Sequence, residues 1–142
     1  MIRLRIRLAL PMLLTLLFGC TRSSAIWIVN PATTANLEFG IALSRGSSQP
    51  VRSLGDIRVT NCSDERYPDV FWEVRTNHLN GPSPIRIRYG VAPAGFETFL
   101  ASKPLPSGCY SVHIEGEATS ASTKFEVRAD GSVAELPRGQ PT

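Results

Sequence analysis

Side-chain catalysis needs a nucleophile, a base or a metal set at fixed spacing, and this chain holds the raw material sparsely. It has two histidines: His78 in the polar stretch Thr76-Asn77-His78-Leu79-Asn80-Gly81, and His113 on an alternating segment. No HxH, HExxH or HxxE arrangement exists, so a metal centre would need ligands gathered from distant segments. Serines are abundant, yet no GxSxG elbow presents one to a base, and the Ser-Gly pairs read as turns. Cys20, Cys62 and Cys109 form no CxxC pair, which leaves zinc ribbons and thioredoxin-like redox chemistry without support. Asp64-Glu65 falls in a polar loop and Glu115/Glu117 on a solvated strand end, with no motif around either pair. Gly90 and Gly95 have the wrong spacing for a phosphate cradle, and Pro93 removes an amide such a cradle would use. Asn61-Cys62-Ser63 is formally a glycosylation sequon, one that a bridge at Cys62 would hinder. The chain is therefore expected to have no catalytic residues, no metal and no cofactor.

The clearest chemistry lies at the amino end. Arginine alternates with Ile and Leu over residues 2–7, and an apolar run over 8–18 follows at once. That is a charged n-region before an h-region. The run covers roughly half the length that spans a bilayer, and Pro11 interrupts it, so a cleaved leader is expected over a permanent membrane helix. Leu17-Phe18-Gly19-Cys20 resembles the lipobox of bacterial lipoproteins, in which an aliphatic, a tolerant and a small residue precede an invariant cysteine. The resemblance implies that the Cys20 thiol is alkylated with diacylglycerol, that leader 1–19 is removed, and that the new amino group is acylated. An ordinary secretory signal is the alternative, and Ser23-Ser24-Ala25 would cut late. One acyl chain binds reversibly at about 0.8 kcal/mol per buried methylene, while two or three hold almost permanently. Thr21 is not the Asp that typically marks inner-membrane retention in diderm lipoproteins, so the resemblance points to the outer membrane, facing the periplasm. With Cys20 lipidated, Cys62 and Cys109 remain as an even pair, free to join in an oxidising compartment. Chain entropy gives such a bridge about 4 kcal/mol.

Composition agrees with an exported single domain. The 142 residues are 42% hydrophobic and 19% charged, with 11 Gly and 11 Pro, which excludes disorder, collagen and coiled coil. A net charge of +3 would suit a nucleic-acid binder, but Arg3, Arg5 and Arg7 supply the excess. The remaining 12 bases meet 12 acids, and no nucleic-acid partner is expected.

The elements that position these residues read as strands. Period-two alternation recurs over 26–30, 36–43, 56–61, 70–76, 85–89, 97–100, 109–116, 124–128 and 132–136. Turn signals such as Asn80-Gly81-Pro82 and Asp130-Gly131 separate them. Short strands at this spacing predict an all-β fold, an antiparallel sandwich or barrel. The predicted core comprises Ile57 and Val59; Val70, Trp72 and Val74; Ile85, Ile87 and Tyr89; Tyr110, Val112 and Ile114; and Phe125 and Val127. Arg58, Glu73, Arg75, Arg86, Arg88, His113, Glu115, Lys124, Glu126 and Arg128 fall on the water side. Both Cys62 and Cys109 take the polar parity, so their bridge should link neighbouring strands or clamp one end of the sandwich, not cross between sheets. Trp72 in Phe71-Trp72-Glu73-Val74, with the run from Leu105 through Pro106-Ser107-Gly108-Cys109-Tyr110 to Ile114, resembles immunoglobulin-like domains of the fibronectin type III kind. That resemblance implies an immunoglobulin-like sandwich, and a fold carries no function.

The chain thus divides into leader 1–19, lipidated Cys20 with a short tether to residue 25, a sandwich over 26–136 and a loose tail over 137–142. Arg75, Arg86, Arg88 and His113, with Glu73 and Glu115, would make a surface for an anionic partner if their strands adjoin. Because acids and bases are interleaved and not segregated, an ordinary solvated face is the favoured reading of these residues. The polar loops 44–55 and 61–69 offer Arg45, Arg52, Arg66 and Tyr67 for contacts. The expected function is a non-enzymatic binding or scaffolding module at the membrane surface, with an envelope protein or glycan as partner. The alternatives are an accessory subunit of a larger envelope assembly and a membrane-anchored hydrolase built around His78.

Overall fold

The computed structural model describes residues 24–63, 66–77, 83–117 and 119–138. The leader, Cys20, Asp64-Glu65 and His78 lie outside the described residues. Among the described residues ten strands form: β1 (Ala25–Ile28), β2 (Ala32–Thr33), β3 (Glu38–Ala42), β4 (Leu54–Asn61), β5 (Val70–Arg75), β6 (Arg86–Arg88), β7 (Glu97–Leu100), β8 (Gly108–Gly116), β9 (Thr119–Val127) and β10 (Ser132–Glu135). They build an antiparallel β-sandwich, with one sheet of order β1-β3-β6 and another of order β2-β10-β9-β8-β4-β5-β7.

Alternation explains the layers. β3 turns Phe39 and Ile41 inward, β1 adds Ile26 and Ile28, and β6 adds Ile87. These meet Ile57 and Val59, Trp72 and Val74, Val112 and Ile114, and Phe125 and Val127 from the larger sheet. Phe39 packs on Phe125 across the interface (6.0 Å between ring centroids), and Phe125 stacks on Tyr110 (5.6 Å). Tyr110 enters β8 with its hydroxyl donating to Pro106 O at 2.7 Å. A tyrosine near the start of a late strand that bonds back a few residues is a fixture of immunoglobulin-like sandwiches.

The cysteines join as their parity predicts. Asn61 pairs with Tyr110 at the end of β4, Cys62 N donates to Cys109 O at 3.1 Å, and the disulfide Cys62–Cys109 closes the next step of the same ladder. It links neighbouring strands at one end of the sandwich.

Three expected positions are corrected. The register of β4 against β5 shifts between Val59 and Thr60, where Thr60 faces Val70. This bulge at Phe71 turns Val70 off the core face, since one extra residue reverses the parity beyond it. Ile85 precedes β6 and is 39% exposed. Glu73, on the outer face, is nonetheless only 5% exposed, because Arg75 lies over it with Nε 2.6 Å from its carboxylate. A second irregularity, between Glu73 and Val74, sets Glu73 opposite Leu100 and Val74 opposite Thr98, leaving Phe99 as the extra residue of β7.

Candidate functional site

The solvent face of the larger sheet brings together part of the expected surface. Register places Glu73, Arg58, His113 and Ser122 in one lateral row across β5, β4, β8 and β9. The next row holds Arg75, Asp56, Glu115 and Ser120. Arg75 and His113 therefore share a face, with β4 between their strands. Arg86 and Arg88 do not join them: β6 belongs to the other sheet, where Arg88 pairs with Glu38 and the Arg86 guanidinium lies 3.9 Å from the Glu38 carboxylate. The four-residue surface is thus divided, because alternation assigns a residue to a face but not a strand to a sheet.

Beside His113 the face deepens into a cleft of about 450 Å³, lined by Arg58, Thr60, Arg66, Tyr67, Pro68, Val70, His113 and Glu115. β4 supplies Arg58 and the buried Thr60, while β8 supplies His113 and Glu115. The bulge at Phe71 delivers Val70 as an apolar floor. The segment after Cys62 carries Arg66 and Tyr67 over one side, and Tyr67 is 82% exposed.

Electrostatics sort these groups. The Arg58 guanidinium lies 3.7 Å from the Glu115 carboxylate, a loose pair. Burial holds His113 below its ordinary pKa and the charge of Arg58 adds to this, against the opposing pull of Glu115. The imidazole is therefore biased to its neutral form at pH 7. Asp56 is held above the usual carboxylate range, first by burial and then by Glu115. The exposed Ser122 stands opposite His113, with no hydrogen bond between them. Guanidinium groups beside an exposed phenol ring suit ion pairing and stacking with a planar or anionic ligand. Among the described residues no group of three or more metal-binding side chains occurs.

Arg66 and Tyr67 were visible in sequence as loop residues available for contacts. Arg58 and Thr60 share the water-side parity of Cys62, so alternation alone sets both on this face, while Val70 has no signal because the bulge at Phe71 alone brings it there. No family model matches the chain, and no curated protein or solved structure matches it either.

Proposed function

We propose that the chain is a small cell-envelope lipoprotein held at the membrane by acylated Cys20, whose sandwich acts by binding or scaffolding and not by catalysis. One observation carries the reading: the Leu17-Phe18-Gly19-Cys20 run stands just before a domain whose two other cysteines are joined to each other. Cys20 is then the single cysteine without an intrachain partner, a liability in an exported protein unless the thiol is modified. The cleft supports the binding half of the proposal, since its cations and exposed ring favour association over bond-making. Metabolic palmitate labelling tests the anchor: wild type incorporates label and Cys20→Ala does not. Equal absence of label from both rejects it.

A second reading, an accessory subunit of a larger envelope assembly, is favoured by β7. This strand lies at the edge of the larger sheet, and its Phe99 is 63% exposed with the Arg75 guanidinium 3.5 Å from its ring centre. Exposed aromatic residues beside arginine are typical anchors of interfaces. A photocrosslinker placed at Phe99 in intact cells would recover a second protein; recovery of monomer alone argues against this reading.

A further inference from the structure

We infer that the outer face of the smaller sheet binds a glycan whose sugar rings carry carboxylates, with the Trp27 indole as its stacking platform and Arg86 and Arg88 as its anion contacts. The inference deepens and rests on the binding reading above, and uses neither the Cys20 anchor nor the cleft beside His113. Ile26 and Ile28 of β1 point into the core at 0% and 1% exposure. Trp27 between them therefore turns outward, and it takes no part in the core cluster. Its cross-strand partner is Gly40. A Cβ on Gly40 would fall inside the indole, so the ring lies flat across the β3 backbone. The φ of Gly40 is not positive, and such backbone accepts any residue; it is the ring that requires glycine here. Covering bare backbone is one gain from this arrangement. The other is a broad apolar plane, half-buried and held in one orientation by a strand.

Charge around that plane is unbalanced. Register places Trp27, Gly40 and Arg86 in one lateral row, and Glu38 opposite Arg88 in the next outward row. Arg86 is two strand spacings from Trp27, about 10 Å, and the indole covers the first of them; Arg88 follows about 7 Å along β6. The three strands hold three charged residues, Glu38, Arg86 and Arg88, and the flanking residues 29–37, 83–85 and 89–96 hold none. Two arginines against one carboxylate leave the face net positive. Glu38 reaches Arg86 at 3.9 Å, whereas the exposed Arg88 side chain has no ion pair or hydrogen bond among the described residues. Arg75 covers Phe99 and Lys103 covers Phe71, but among the described residues no cation covers Trp27.

These features together select the ligand. Ala25 and Ala42, the other apolar side chains that the strands turn to this face, are buried. An isolated indole is a poor seat for a protein or a lipid tail, which need a broader apolar patch. A sugar ring meets the plane differently. One side of a pyranose presents C–H groups that pack on the electron-rich face of an aromatic ring, while its hydroxyls stay in water. Guanidinium groups pair with carboxylates through two parallel hydrogen bonds. A chain of sugar rings bearing carboxylates therefore satisfies the indole and the arginines at once.

The test uses the full chain with oligogalacturonate as probe, and its carboxyl-reduced form and polyglutamate as controls. Trp27 and Trp72 are the two tryptophans, and Trp72 is fully buried, so a saturable change in indole emission reads Trp27. Oligogalacturonate is expected to give that change, and Arg86→Gln/Arg88→Gln to weaken binding about tenfold or more. By calorimetry Trp27→Ala abolishes binding and Trp27→Phe retains part of it, with circular dichroism checking that each variant keeps its β spectrum. No saturable response, or one that the arginine variant leaves intact, overturns the proposal. Equal binding of the carboxyl-reduced form overturns the role of charge, and equal binding of polyglutamate assigns the face to an acidic protein and overturns the sugar. Binding that Tyr67→Ala abolishes and Trp27→Ala spares moves the ligand to the cleft, which overturns the platform and leaves the binding reading standing. Palmitate labelling at Cys20 and crosslinking at Phe99 judge the wider reading separately.

Discussion

Glu135 joins more of this molecule than its size would suggest. Its carboxylate accepts from Arg45 Nη1 at 2.8 Å and Thr123 Oγ1 at 2.9 Å through one oxygen, and from Ile28 N at 3.2 Å through the other. Segment 43–53, β9 and β1 of the opposite sheet thus meet on one side chain. Burial alone would raise its pKa, but hydrogen bonds from Arg45, Thr123 and Ile28 outweigh it and leave the carboxyl below its ordinary 4.5. A depressed folded-state value contributes stability above the unfolded value and loses it as pH falls through the folded one. Glu135→Gln should therefore cost about 1–2 kcal/mol at pH 7, a difference that shrinks below pH 4.5 in urea titrations run across pH. An unchanged difference at pH 3 would contradict this account. Asp56 has the opposite sign: its raised value means the charged form is disfavoured in the folded state, so its ionisation weakens the fold at neutral pH. Neither role was legible in sequence. Glu135 read as one polar residue of an alternating strand, and its partners lie 12, 90 and 107 positions away.

Among the elements, β4 and β8 form the spine of the larger sheet, and the disulfide extends their pairing by one step beyond Asn61 and Tyr110. The two cysteines are 47 residues apart, and losing a cross-link of that span should cost about 4 kcal/mol in the chain-entropy account. The Cys62→Ser/Cys109→Ser variant is expected to show that loss as a lower urea midpoint, with the far-ultraviolet β spectrum preserved below the transition. This staple, and the strands it joins, were legible because parity set both cysteines on the water side at complementary strand ends. β9 was legible only in its second half. Its first residues, Thr119-Ser120-Ala121-Ser122-Thr123, offer no large apolar side chain to mark a period, yet all five pair with β8. They are strand because β8 is long enough to template them, a tertiary effect that outweighs local pattern. The cleft was half legible for a related reason: the positions of Arg58 and His113 follow from alternation, while Val70 required a bulge that no residue announces.

For the molecule as a whole, the two sheets are coupled through an aromatic chain, Phe39 to Phe125 to Tyr110 to Phe71, with centroid spacings of 6.0, 5.6 and 5.1 Å. Tyr89 adds a polar tie, its hydroxyl donating to Lys103 O at 2.7 Å and Phe71 O at 3.2 Å, and burial pushes its pKa up to about 12. Layers held this way should melt together. Phe125→Ala is expected to cost about 3–5 kcal/mol, with near- and far-ultraviolet circular dichroism falling in a single coincident transition; separated transitions would show two independent layers. On the proposed anchor at Cys20, the irregularity at Phe99 has a consequence for life in a crowded plane. Proteins tethered to one surface collide side by side far more often than free ones, and a straight outer strand with its amides in step would let neighbours zip into ribbons. The extra residue in β7 interrupts the regular step of that strand, and an irregular rim of this kind disfavours edge-to-edge pairing with a second copy while leaving the Phe99 side chain open to a different partner.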